Sequence, residues 1–128
     1  MGNAYSIPKI HFEELQTQIM KGGDYLLINT LPLDMQECLI CSTVVAQDEE
    51  TTMNTMLKEK KWTIRIIIYG MNYNDPLVIK KYNQMTQLGM KNVCIYIGGL
   101  FEWLCLQEIY GDGLFMTTKK DIDLLKYK

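Results

Sequence analysis

A chain of 128 residues is the size of one domain, and it can bury roughly two-thirds of the surface that its unfolded form exposes. With 48% apolar residues and a net charge of −2, the composition excludes disorder and gives no sign of a strongly charged partner. Lysines cluster only at Lys58, Lys60 and Lys61, so nucleic acid is not an expected partner.

The chain opens with Met1-Gly2-Asn3-Ala4-Tyr5-Ser6, which fits the N-myristoylation pattern of a glycine exposed by removal of Met1 and a serine four positions later. Gly2 is required because the acyl group joins a free, unhindered α-amine. The pattern is short enough to be met by chance as well. One myristoyl chain gives only marginal attachment, with a partition constant of about 10⁴ M⁻¹. No cysteine precedes Cys38, and Lys9 is the only basic residue among the first twenty. A lipid at Gly2 therefore predicts reversible binding to a membrane surface, or binding reinforced by many copies or by a protein partner that the sequence does not identify.

From Ile10 to Gly22 a helical stripe of Phe12, Leu15, Ile19 and Met20 predicts an amphipathic helix that ends at Gly22-Gly23. Tyr25 to Thr30 reads as a strand buried on both faces, as parallel strands covered by helices are. Ser42 to Ala46 is β-branched enough to predict a short strand. Asp48, Glu49 and Glu50 then suit the start of a helix, Met53, Met56 and Leu57 its buried side, and the lysines its end. Ile64 to Tyr69 is the strongest strand signal. A helix follows from Pro76 to Gly89, a strand over Val93 to Ile97, and a large apolar helix from Leu100 to Tyr110. In the tail, Thr118 stands three residues before Asp121 as an N-cap signal for a short final helix. Strands alternating with helices predict an α/β domain, a mostly parallel sheet with helices on both faces.

The cysteines Cys38, Cys41, Cys94 and Cys105 have no hydrophobic leader ahead of them, because His11, Glu13 and Glu14 interrupt the first twenty residues. The thiols are expected to be reduced and intracellular. No apolar run approaches the eighteen or so residues of a spanning helix. Cys38-Leu39-Ile40-Cys41 is open to three readings: buried thiols that pack as small hydrophobes, a redox pair, or half a metal site. Cys94 and Cys105 fall on a strand and a helix, which does not complete a zinc set, and neither a metal nor another cofactor is expected. His11 has no paired nucleophile and receives no catalytic role.

Between about Ile10 and Tyr110 the chain resembles the rhodanese-like family. The resemblance rests on the strand Ile66 to Tyr69 with its loop, and on Asn92-Val93 through Gly98-Gly99 to Trp103. It implies a single rhodanese-like domain at 10–110, an arm at 1–9 and a C-terminal extension at 111–128 packing on the domain. In that family the residue after the strand's aromatic is a cysteine that carries a persulfide, held by backbone N–H groups at a helix N-terminus. Here that residue is Gly70. The resemblance thus implies a vestigial active-site loop of Gly70, Met71, Asn72, Tyr73, Asn74 and Asp75, with no catalytic residue.

Asp75 before Pro76 makes a good N-cap, so the helix start is expected to be satisfied by its own carboxylate. Asn29-Thr30-Leu31 replaces the family's usual Asp and Arg, and the usual Gly-His-Ile turn is missing near Cys38-Leu39-Ile40. The Gly98 to Leu104 segment and Ile109-Tyr110-Gly111 are similar to rhodanese-like proteins of large DNA viruses and protists, which implies a lipid-anchored binding or structural protein, on the cytoplasmic face of a membrane or packaged in a virion. The competing expectation is a sulfurtransferase or thiol redox protein that uses a displaced cysteine among Cys38, Cys41 and Cys94.

Overall fold

The computed structural model describes residues 7–121 and 123–128. The element order is β1 (Lys9–Ile10), α1 (Phe12–Lys21), β2 (Tyr25–Asn29), α2 (Ala46–Lys58), β3 (Arg65–Tyr69), α3 (Leu77–Gln87), β4 (Val93–Tyr96) and α4 (Gly99–Tyr110). Short 3₁₀ turns occupy Leu33–Met35 and Leu124–Tyr127. The four strands form one sheet in the order β1-β4-β3-β2, and every pairing is parallel.

Alternation along the strands sorts the core into two layers. Leu27, Ile67, Tyr69, Cys94 and Tyr96 point toward Leu15 of α1 and Leu100, Trp103 and Leu104 of α4. Ile28, Ile66, Ile68, Val93 and Ile95 point toward Met53 of α2 and Val78 and Met85 of α3. Both sheet faces are thus covered, which explains the near-continuous apolar runs of β2 and β3. The α/β architecture with helices on both faces agrees with the sequence reading.

Four local expectations change. Ile10 pairs with Tyr96 in β1 and does not open the first helix, which begins at Phe12 after the Glu14 carboxylate accepts the His11 N–H at 3.0 Å. Residues 7–9, placed in the arm by the sequence, join the body: Ile7 is buried in the second core layer, and Pro8 O accepts the Ile95 N–H at 3.0 Å. The predicted strand Ser42 to Ala46 reduces to one bridge between Leu27 and Thr43. Ser42 has φ +71°, which turns the chain out of an extended path, and Ala46 already belongs to α2. Thr118 caps no helix; its hydroxyl accepts the Leu39 N–H at 3.0 Å instead. Phe115 and Tyr127 lie in the first core layer, so the C-terminal extension completes the core beside α4.

Candidate functional site

The loop after β3 and the start of α3 sit at the carboxyl end of the sheet, where open α/β folds place their ligands. Gly70 leaves β3 here. A Cβ at Gly70 would lie 2.5 Å from Val78 Cγ2 and 2.6 Å from Asp75 Oδ2, so the space that a side chain would need is already filled. Asp75 accounts for the filling. Its Oδ1 accepts the Leu77 N–H at 3.0 Å, and its Oδ2 accepts the Met71 N–H at 3.1 Å and the Thr30 hydroxyl at 2.9 Å. The carboxylate therefore takes three donors at the mouth of α3, as an N-cap does, and an incoming anion would have to compete with it.

The second helix N-terminus at this end is also occupied. Leu100 and Phe101, at the start of α4, donate to Gly70 O and Met71 O at 2.9 and 2.8 Å. Gly99 permits this approach: its φ is +72°, and a Cβ there would stand 2.8 Å from the Asn72 backbone. Asn72 in turn donates from Nδ2 to Tyr127 O at 3.1 Å, tying the C-terminal segment to the loop. An open cleft of about 450 Å³ runs beside the loop, with Met71, Asn72, Tyr73, Leu77 and Lys128 in its walls. Tyr73 is 79% exposed and leaves that cleft unfilled.

The candidate thiols do not meet at this loop. Cys38 is buried in the first core layer and donates to Lys119 O at 3.0 Å, and burial pushes its pKa up. Cys94 lies in β4 and is also raised by burial, partly offset by Arg65. Cys41 is half-buried, and all four cysteines are free thiols. The Cys38 and Cys94 environments suppress the thiolate that sulfur transfer or redox exchange would need. Among the described residues no group of three or more His, Cys, Asp or Glu side chains converges as a metal site. Gly2 lies outside the described residues.

In sequence, Asn29 and Thr30 stand out only as departures from a family pattern. In the structure they also line a second cleft, of about 300 Å³, between α2 and α3, with Gln36, Lys80 and Lys81 among its walls. No sequence motif marks this cleft, because its walls come from separate elements.

No protein family and no curated protein sequence matches the chain. Solved structures do. Ygr203w, described as a yeast protein tyrosine phosphatase of the Rhodanese family, superposes with a TM-score of 0.68 at 17% identity, over 92% of this chain and 96% of that one. The fold is rhodanese-like. The BH2092 protein of Bacillus halodurans gives 0.63 at 21% identity, over 81% of this chain and 74% of that one. The Alr3790 protein of Anabaena sp. gives 0.61 at 18% identity, over 90% and 83%. At these identities the likeness is one of fold, and within this rhodanese-like fold the loop from Gly70 to Asp75 carries no thiol.

Proposed function

We propose that this chain is a rhodanese-like module without transfer chemistry of its own, working as a binding or structural protein that an N-myristoyl group on Gly2 brings to a membrane surface. The observation that carries the first half is Gly70: the loop has no nucleophile there, and Asp75 and Val78 occupy the space one would need. Asp75 also takes the loop and helix donors that would otherwise cradle a substrate anion. The second half rests on Met1-Gly2-Asn3-Ala4-Tyr5-Ser6. No described helix is long and apolar enough to cross a membrane. The likeness of the Gly98 to Leu104 segment to viral rhodanese-like proteins makes a virus particle the setting in which to look for the protein.

Incubation with thiosulfate followed by thiol-trapping mass spectrometry tests the absence of sulfur transfer. All four cysteines should remain unmodified, and a persulfide on Cys41 or Cys94 would establish the displaced-thiol enzyme in its place. For the lipid, coexpression with an N-myristoyltransferase should add the mass of one myristoyl group to the intact protein, and Gly2→Ala should abolish the addition. An unchanged mass for the unmutated chain removes the membrane claim.

A further inference from the structure

We propose that the cleft between α2, α3 and the carboxyl end of β2 binds a small molecule through its carboxylate or phosphate group, with Asn29 and Lys80 as the recognising donors. Asn29 ends β2 and is only 4% exposed. Its Oδ1 accepts the Leu31 N–H at 3.0 Å, and that bond fixes the amide's orientation, since an N–H must face the oxygen side. Nδ2 then faces the other way, and it donates to no group among the described residues. No described side-chain N or O atom is both sealed from solvent and unpaired. Nδ2 therefore opens into the cleft of about 300 Å³ that Asn29 lines. A nearly buried amide with an unused donor, held rigidly at the base of a cleft, is a group placed to meet an acceptor.

The remaining walls set the sign of the ligand. Lys81 pairs with Glu49 at 2.7 Å, so those charges offset one another. Thr30 has its hydroxyl proton committed to Asp75, and Gln36 has its Nε2 committed to Leu31 O at 2.8 Å. Lys80 lines the same cleft one residue before Lys81 and makes no ion pair among the described residues, leaving one uncompensated positive charge. A fixed neutral donor and an ammonium in the walls of one cleft suit an oxyanion, which can accept charge-assisted hydrogen bonds from both. Leu77 borders both this cleft and the one beside the Gly70 loop, but Asn29 and Lys80 line this one and not the other, so this inference stands whether or not that loop is inert.

The test is an NMR titration of the ¹⁵N-labelled full chain at pH 7 with inorganic phosphate and, separately, malonate. The Asn29 side-chain NH₂ pair and the Gln36 and Gln84 amides, which line this cleft and not the one beside the loop, should shift saturably with at least one of the two. Asn29→Asp keeps the acceptor for Leu31 but exchanges the donor for an oxygen, and it should weaken binding about tenfold or more, read from Gln36 and Gln84. Lys80→Glu, at an exposed position that the fold does not depend on, should do the same. Saturation by neither anion overturns the proposal, as do affinities unchanged in Lys80→Glu, or shifts confined to residues 70–77.

Discussion

One methyl group added at Gly70 would meet Val78 Cγ2 at 2.5 Å and the Asp75 side chain at 2.6 and 2.8 Å. Val78 is buried on the first turn of α3, and as a β-branched residue it has little rotamer freedom with which to yield. Gly70→Ala should therefore destabilise the protein by about 1–3 kcal/mol, in the range of overpacking. Removing the obstructing methyl should relieve part of this: Val78→Ala should cost less in the Gly70→Ala background than alone, a coupling of about 1 kcal/mol in urea denaturation. Strict additivity would show that the loop has room for a side chain, and the steric argument at Gly70 would fall. Gly99 is held more tightly, because its obstacle is backbone. At φ +72°, with Asn72 Cα 2.8 Å from a built Cβ, Gly99→Ala combines a left-handed penalty of about 1–2 kcal/mol with a clash that no rotamer change relieves. A total of about 3 kcal/mol or more is expected, measured by the same denaturation.

Among the elements, the C-terminal 3₁₀ turn contributes more than its four residues suggest. Tyr127 is buried against α4, its hydroxyl donates to Asp121 Oδ2 at 2.8 Å, and its carbonyl holds Asn72. Tyr127→Phe keeps the ring and should cost about 1 kcal/mol, whereas Tyr127→Ala leaves a cavity and should cost about 3–5 kcal/mol. Asp121 has its pKa lowered, first by the hydrogen bond from Lys126 and then by the Asp123 N–H. A lowered carboxylate contributes stability above its unfolded value, near 4, and loses it as pH falls through the folded value. Between pH 6 and pH 3 the native chain should lose more stability than Asp121→Asn, and parallel slopes for the two would remove Asp121 from the account. The elements differ in how legible they were. α1, β2, β3, α3, β4 and α4 announce themselves because apolar spacing is a local signal. The two-residue β1 has no period to read, and the 38–43 segment is fixed by distant partners, Met116 to Thr118 and Tyr69, which the β-branched run of Ser42 to Ala46 does not reveal. The same distinction separates the two sites: the Asp75 cap is local to its helix and was readable, while the Asn29 cleft needs β2, α2 and α3 to converge.

Across the whole molecule, three phenols hydrogen-bond to residues outside their own elements. Tyr69 of β3 donates to or accepts from Thr43 at 2.7 Å and accepts the Ile40 N–H at 3.2 Å. Tyr96 of β4 donates to Glu102 of α4 at 2.6 Å, and Tyr127 donates to Asp121. All three have raised pKa values, with burial the first cause in each: Tyr127 is pushed up to about 12, and Tyr69 and Tyr96 shift further upward, the latter helped by the Glu102 carboxylate. A phenol raised in the folded state contributes stability that is complete below its unfolded value, near 10, and declines as pH rises toward the folded value. These contributions should therefore fade together above about pH 10, and none of the three can ionise in place without losing a hydrogen bond it donates or breaking a core contact. Their tyrosinate absorbance should emerge in step with loss of far-UV circular dichroism, as one cooperative alkaline transition. Tyr127→Phe should shift that transition without abolishing it, because Tyr69 and Tyr96 still couple ionisation to unfolding. If every tyrosine ionises while the circular dichroism stays native, these phenols do not join the sheet to its surroundings in the way the hydrogen bonds imply.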